Sequence, residues 1–597
     1  MSSLLAMPRF MPTTPDECRR LGWSELDVVL VTGDVYLDAP HIGVAVVGRL
    51  LLKAGFRVGI IAQPDIQSDR DIARLGAPRL FWGVSGGCVD SMIANYTASG
   101  RRRRSDDMTP GGRNDRRPDR AVLAYSHLIR RHFKQTVPIV LGGIEASLRR
   151  ISHYDAWSDG VRRSILFDAK ADFLLYGMAD QSVVALAEKL QRREDVRDLR
   201  GLCYISRELP PLVEGFPTPD GLLPPHAEVI RDKEAFSRMF SLFYENADPA
   251  TARRLVQQQD TRYLVHNPPA LPPEPALLDA VYELPYARAV HPYYRSQGPV
   301  AAMETIPFAI TTHRGCFGEC RFCAITVHQG RQVVSRSQAS ILREAEAIAR
   351  HPGFKGIIPD VGGPTANMYA MGCGRRSAAA CAKKGCLAPS ACQRLTADHG
   401  PQIDLLQALR AIPGVRRVFV ASGVRYDLIL QDRRSGRRYL EELLRHHTSG
   451  QLKIAPEHVH DPLLRLMGKP GRAQLEAFLE MFQEINRRLP RRQFLTYYFM
   501  AAHPGCGLDE MHALRAYAEK TLRLIPEQVQ IFTPSPSTWA TLMYYTGTDP
   551  FSGAPIFVER GLGAKIAQKA VMAADRPRRP DRVQAIHPRP RRARPKH

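Results

Sequence analysis

"PFAITTHRGCFGECRFCAI", residues 307–325, runs an apolar, β-rich segment into three cysteines, Cys316, Cys320 and Cys323. The stretch reads as a strand opening into a thiolate loop. Structural zinc takes four protein ligands, and cubane iron–sulfur clusters usually take four cysteines. The C-x3-C-x2-C spacing supplies three. Either a remote His or Cys completes a zinc site, or one corner is open to a ligand that is not protein.

Strand and helix patterns alternate downstream. "FKGIIPDVGG", "VRRVFVASGV", "GQLKIAPEH", "RRQFLTYYFMAAHPG" and "PEQVQIFTPSP" read as further strands, with "SQASILREAEAIAR", "QIDLLQALRAI" and "RAQLEAFLEMFQEINRR" as helices between them. Six strands with intervening helices predict a partial or complete α/β barrel, whose active groups belong on loops at the strands' C-terminal ends. The cysteine loop follows the first strand directly.

Upstream, "DVVLVTGDVYLDAP", "RVGIIAQPD", "RLFWGVSGG", "VPIVLGGIEAS" and "ADFLLYGMAD" predict an open, mostly parallel α/β sheet, Rossmann-type in class. Ligands of such sheets sit beyond the strands' carboxyl ends, here at "TGD", "SGG" and "GGIEAS". Residues 205–301 are proline-dense and read as an irregular connector. The resulting division is an α/β domain over 1–204, the connector over 205–301, the barrel over 302–560 and a basic tail over 561–597.

A chain of 597 residues is too long for one core, and length alone suggests three to four domains. With 44% hydrophobic and 24% charged residues it has ample material to fill them. The N-terminus lacks the pattern of a signal peptide, and no apolar run approaches the roughly 18 residues that span a bilayer. Eleven cysteines, clustered and without an export signal, read as reduced metal ligands in the cytoplasm. The net charge of +23 is uneven: residues 576–597 hold nine Lys or Arg and one Asp, a Pro/Arg-rich segment expected to be disordered. A second basic run is "RRRR" at 101–104. The charge permits an RNA or other anionic partner, while solvated surface is the plainer reading, and the tail has no interleaved aromatics for base stacking.

The triplet resembles the signature of the radical S-adenosylmethionine superfamily, with an aromatic, here Phe322, before the last cysteine. That resemblance implies three thiolates on three irons of a [4Fe–4S] cluster, S-adenosylmethionine on the fourth, and a 5′-deoxyadenosyl radical after reductive cleavage. It also implies an external reductant such as flavodoxin or ferredoxin. Gly362 and Gly363 in "DVGGPTANMY" match the family's turn against the methionyl amino group, although Pro364 replaces the usual acidic residue. Ser422 and Arg425 in "ASGVRYD" stand where members bind the methionyl carboxylate or ribose; the alternatives are a helix cap and a surface ion pair. Arg314 and Arg321 flank the loop, as surface charges or as cluster-tuning groups.

Longer stretches, "GVSGGCVDSMIANYTA", "GGIEASLRRISHYDAWSDGVRRS", "LKIAPEH" and "FTPSPSTWATLMYYTG", look like the YgiQ-type radical S-adenosylmethionine proteins from about residue 10 to about 560. That family's substrate is not established. The N-terminal half resembles, more weakly, cobalamin-binding domains with D-x-H-x-x-G. "DAPHIG" puts Asp38, His41 and Gly43 at other offsets, which favours the fold and counts against a corrinoid.

Cys373, Cys381, Cys386 and Cys392 follow the glycine turn at spacings that fit no common zinc ribbon, and are candidate ligands for a second metal or cluster. Cys18, Cys88, Cys203 and Cys506 are dispersed. The leading reading is an enzyme generating a deoxyadenosyl radical on an unknown substrate. Its alternatives are an RNA-modifying radical methylase or methylthiotransferase, and a non-catalytic, metal-stabilised nucleic-acid binder. The wide separation of the N-terminal cysteines is a poor match to the second cluster of a methylthiotransferase.

Overall fold

All five residues of Val28–Thr32 (β1) are buried, as are all five of Val58–Ala62 (β2). A run apolar on both faces belongs in a sheet covered on both sides, where parallel strands are found. A computed structural model describes residues 7–210, 221–373, 385–388, 390–526 and 528–573, and it places these strands side by side. With Phe81–Ser85 (β3), Ile139–Gly142 (β4) and Phe173–Leu175 (β5) they form the parallel order β2-β1-β3-β4-β5. The order reverses at β1: β2 lies on one side of it and β3 on the other. The crevice beyond the ends of β1 and β3 is therefore the topological switch point, the favoured ligand position in such sheets.

The sheet continues through Leu202–Ser206 (β6), Leu222–Leu223 (β7), Leu255–Gln259 (β8) and Arg262–His266 (β9) in the order β5-β6-β9-β8-β7. β6, β9 and β8 pair antiparallel. Three strands and the helices His226–Arg231 and Lys233–Glu245 thus stand where the sequence suggests an irregular connector. Proline density hid them because the prolines flank the strands. Buried Gln257 and Gln259 on β8 also masked its apolar character; their side-chain oxygens accept from the Ser152 and Ser164 amides at 3.1 and 3.0 Å.

In the C-terminal half Ile310–Thr311 (β10) pairs in parallel with Val361–Gly362 (β12), and Ile357–Ile358 (β11) with Arg417–Val418 (β13). A Val424–Ile454 bridge leads to Gln451–Glu457 (β14), which runs parallel to Phe494–Ala501 (β15) and then Val529–Ile531 (β16). These are the six segments read from the sequence, and among the described residues no pairing closes β16 onto β10. The fold is mixed α/β with a partial barrel.

One apolar cluster spans both halves. Tyr154 stacks on Tyr545 at 4.9 Å, and Ser537 Oγ donates to the Leu148 carbonyl at 2.8 Å. Among the described residues no helix is long and apolar enough to cross a membrane. Of the tail read over 561–597, Leu562–Val571 is instead a packed helix whose Gln568 side chain accepts from the Ala502 amide at 2.9 Å, and residues from 574 onward lie outside the described residues.

Packing leaves several histidines in the interior. Burial pushes His41, His153, His313, His328 and His503 down to about 4. In the unfolded chain they titrate near 6.5. Between these values the unfolded chain binds more protons than the folded one, so stability falls as pH falls through this window. The metal-free protein should show a thermal midpoint that is level above pH 7 and drops steadily from pH 6.5 to 4.5, as followed by circular dichroism.

Candidate functional site

Gly315 makes the turn from the first barrel strand into the cysteine loop. Its φ is +81°, and a Cβ there would collide with the Gln332 carbonyl oxygen. Backbone bonds then hold the loop: Cys316 N–H donates to the Gly330 carbonyl at 3.2 Å, Arg321 N–H to Met467 at 2.9 Å, and Ala540 N–H to Arg321 at 2.9 Å. Cys323 sits at the N-terminal boundary of the helix Ala324–Gln329. Gly315→Ala should cost about 1–3 kcal/mol in backbone strain alone. The reconstituted variant should lose most of its iron, as measured by colorimetric iron assay beside wild type.

Cys316, Cys320 and Cys323 are all half-buried. Burial pushes the Cys316 thiol up, and burial together with Cys320 pushes Cys323 up to about 12. Metal binding must therefore displace protons from this loop. The Cys316 Sγ lies 3.4 Å from Thr365 Oγ1. A cubane takes one thiolate at each of several irons, and three thiols on one loop match that donor set.

The glycine turn is next to this loop because β10 and β12 are neighbours: Thr312 N–H donates to the Gly362 carbonyl at 2.7 Å. Gly363 packs on the buried His313 ring, and a Cβ on it would lie 2.5 Å from His313 Nε2. That nitrogen is buried without a partner, while His313 Nδ1 lies 2.8 Å from Thr312 Oγ1. Ser422 borders the same space, with its hydroxyl donating to Asp360, and the Ala421 and Ser422 amides donate to Asp360 Oδ1 at 2.8 and 3.2 Å.

Arg425 is not a surface charge. It is 7% exposed and held by Asp427 through bonds of 2.9 and 2.6 Å, and its Nη1 lies 3.5 Å from Cys320 Sγ. Gly318 leaves room for it, since a Cβ there would stand 2.9 Å from Nη1. A fixed cation donating to a thiolate favours the more negative, reduced state of any centre bound there. Arg425→Gln should lower the midpoint potential. At the wild-type midpoint the variant's reduced-to-oxidised ratio should be about tenfold smaller, a shift of about 59 mV for one electron, read by redox titration under electron resonance. Arg425→Lys, which keeps the charge, should recover part of the shift.

The flanking arginines are structural. Arg314 pairs with Asp180 at 2.7 Å, tying the loop to the N-terminal half, and Arg321 lies over the Phe551 ring at 3.6 Å. Phe322 meets the His503 ring edge-on at 6.2 Å. Of the second cysteine group, Cys373 is exposed and Cys381 lies outside the described residues. Cys386 and Cys392 pack with Phe317 and Cys316, and the Cys386 amide donates to Glu319 of the loop at 3.3 Å. Cys203 is buried in β6 whereas Cys88 lies beyond β3, so the N-terminal cysteines do not gather. In the basic run, Arg102 pairs with Asp119 at 3.4 Å and Arg103 donates to the Tyr96 carbonyl at 3.1 Å.

Sequence reading missed His313, Asp360, Thr365 and Asp427. All four lie inside or beside quoted motifs, but nothing in their spacing reveals which side chains turn inward.

Residues 10–309 match the family described as Radical SAM N-terminal, and residues 310–518 match the Radical SAM superfamily. The chain is 51% identical over 574 residues to a UPF0313 protein of Fusobacterium nucleatum, covering 96% of this chain and 100% of that one. It is 47% identical to a UPF0313 protein of Methanocella arvoryzae, covering 96% and 94%. Among solved structures it is similar to the radical S-adenosylmethionine methyltransferase TsrM of Kitasatospora setae, solved with cobalamin and a [4Fe–4S] cluster. The TM-score is 0.46 at 15% identity, covering 86% of this chain and 74% of that one.

Proposed function

The chain belongs to the radical S-adenosylmethionine superfamily, among the UPF0313 proteins, and on that premise we propose that Cys316, Cys320 and Cys323 hold three irons of a [4Fe–4S] cluster whose fourth iron takes S-adenosylmethionine. When bound, the pair supplies reductive cleavage to a 5′-deoxyadenosyl radical. The observation that carries the reading is the pairing of β10 with β12, which sets the cysteine loop beside the Gly362–Gly363 turn. In this reading the turn takes the methionyl end of the cofactor with Ser422 at its side, and Arg425 acts on the Cys320 thiolate. Phe322, Phe532 and His503 form an aromatic wall beside the loop. An external reductant such as flavodoxin or ferredoxin delivers the electron.

Membership of this superfamily makes the protein an iron–sulfur enzyme, and the non-catalytic alternative is set aside. The separation of Cys88 from Cys203 speaks against a methylthiotransferase. A second metal or cluster on Cys373, Cys381, Cys386 and Cys392 stays a proposal, supported by the packing of Cys386 and Cys392 against the loop. The test is anaerobic reconstitution followed by addition of S-adenosylmethionine to the reduced protein. A changed electron-resonance spectrum and slow formation of 5′-deoxyadenosine are expected. Iron-replete protein that gives neither would overturn the reading.

A further inference from the structure

A cavity of about 580 Å³ lies between the two halves of the molecule, within the ~300–1,000 Å³ range of small-molecule sites. It opens at the switch point of the N-terminal sheet, bordered by His41 and Cys88, and reaches Thr311, His313 and Gly363 on the barrel side. From there it runs between the sheet and the helix Gly43–Lys53, over Leu30, Gly83 and Val140 and under Val46 and Val47. Its floor is apolar throughout this slot.

Four residues with ordinarily charged side chains border it, and each is already satisfied. Asp34 takes Arg117 at 2.6 Å, Asp180 takes Arg314 at 2.7 Å, and Asp360 takes the 421 and 422 amides. The bordering histidines, His41, His313 and His328, are neutral at pH 7 because burial pushes each down to about 4. What the cavity offers a ligand is mainly apolar surface, with no unpaired charge.

We propose that this cavity is the substrate chamber and that the substrate is an uncharged, largely apolar small molecule, rather than a phosphorylated metabolite or an RNA. The proposal rests on the radical chemistry of the preceding section, which places the reactive end of the chamber at the Gly363 edge. An anion entering the slot would lose its hydration and gain no cation, a cost that neutral apolar molecules do not meet. The charged end of S-adenosylmethionine is assigned to the glycine turn, outside the slot.

The test is equilibrium dialysis of full-length reconstituted protein, with S-adenosylmethionine present, against 1-naphthol, 1-naphthyl phosphate and hydroxocobalamin at pH 7.5. One naphthol per chain is expected, with the phosphate bound at least tenfold more weakly. Val47→Trp, which fills the slot away from the cluster, should abolish naphthol retention while iron content and basal deoxyadenosine formation stay at wild-type levels. Naphthyl phosphate binding as tightly as naphthol, no naphthol retained at millimolar concentration, or naphthol retention unchanged in Val47→Trp would each overturn the proposal. Hydroxocobalamin that survives dialysis and displaces naphthol would do the same, by giving the slot to a corrinoid. Cluster-free protein is dialysed in parallel, so loss of the radical chemistry and failure of the chamber are read separately.

Discussion

Protein in which Cys316, Cys320 and Cys323 are all replaced by alanine should retain almost none of the four irons expected at this site in anaerobically reconstituted wild type. The broad visible absorbance that dithionite bleaches should vanish with them. The loop carries no fourth thiol to take their place. The loop itself should survive, since its anchors are backbone bonds of Cys316, Arg321 and Ala540 that alanine leaves intact. Iron and sulfide analysis with circular dichroism checks both halves of the statement. A triple variant that kept full iron at this site would move the cluster elsewhere, with Cys386 and Cys392 the nearest alternative thiols.

Gly363→Val should separate cofactor binding from cluster assembly. A Cβ at this position would stand 2.5 to 2.7 Å from three atoms of the His313 ring. That ring is fully buried and engaged with Thr312, so it has no room to swing aside. The turn must move instead, and with it the backbone proposed to meet the methionyl group. S-Adenosylmethionine affinity should fall at least tenfold, about 1.4 kcal/mol, with the electron-resonance response lost at concentrations that saturate wild type. Iron content should stay near four per chain. A variant with wild-type affinity would show that the turn does not touch the cofactor.

The N-terminal sheet was legible because β1 and β2 are continuous apolar runs, a pattern that parallel strands covered on both faces require. The antiparallel extension was not legible. β8 follows Val256 with buried Gln257 and Gln259, whose side-chain oxygens accept from the Ser152 and Ser164 amides about a hundred positions earlier. A buried polar side chain looks like a surface one until its partner is known.

By itself the sequence determined the six barrel strands, the loop that carries the three thiols and the glycine turn that ends the second of those strands, because periodicity and motif spacing are local properties. It also put three thiol donors on one loop. Only the tertiary structure decided which charges face what. Arg425 reads equally as a cofactor contact or a surface ion pair until the fold brings Asp427 and Cys320 to it, and Arg314 stays open between surface charge and cluster tuning until Asp180 arrives from 134 positions away. The uncharged cavity was invisible for the same reason. Charge pairing and burial are sums over residues remote in sequence, so a chain with a net charge of +23 can still enclose a chamber whose lining charges are each ion-paired or hydrogen-bonded.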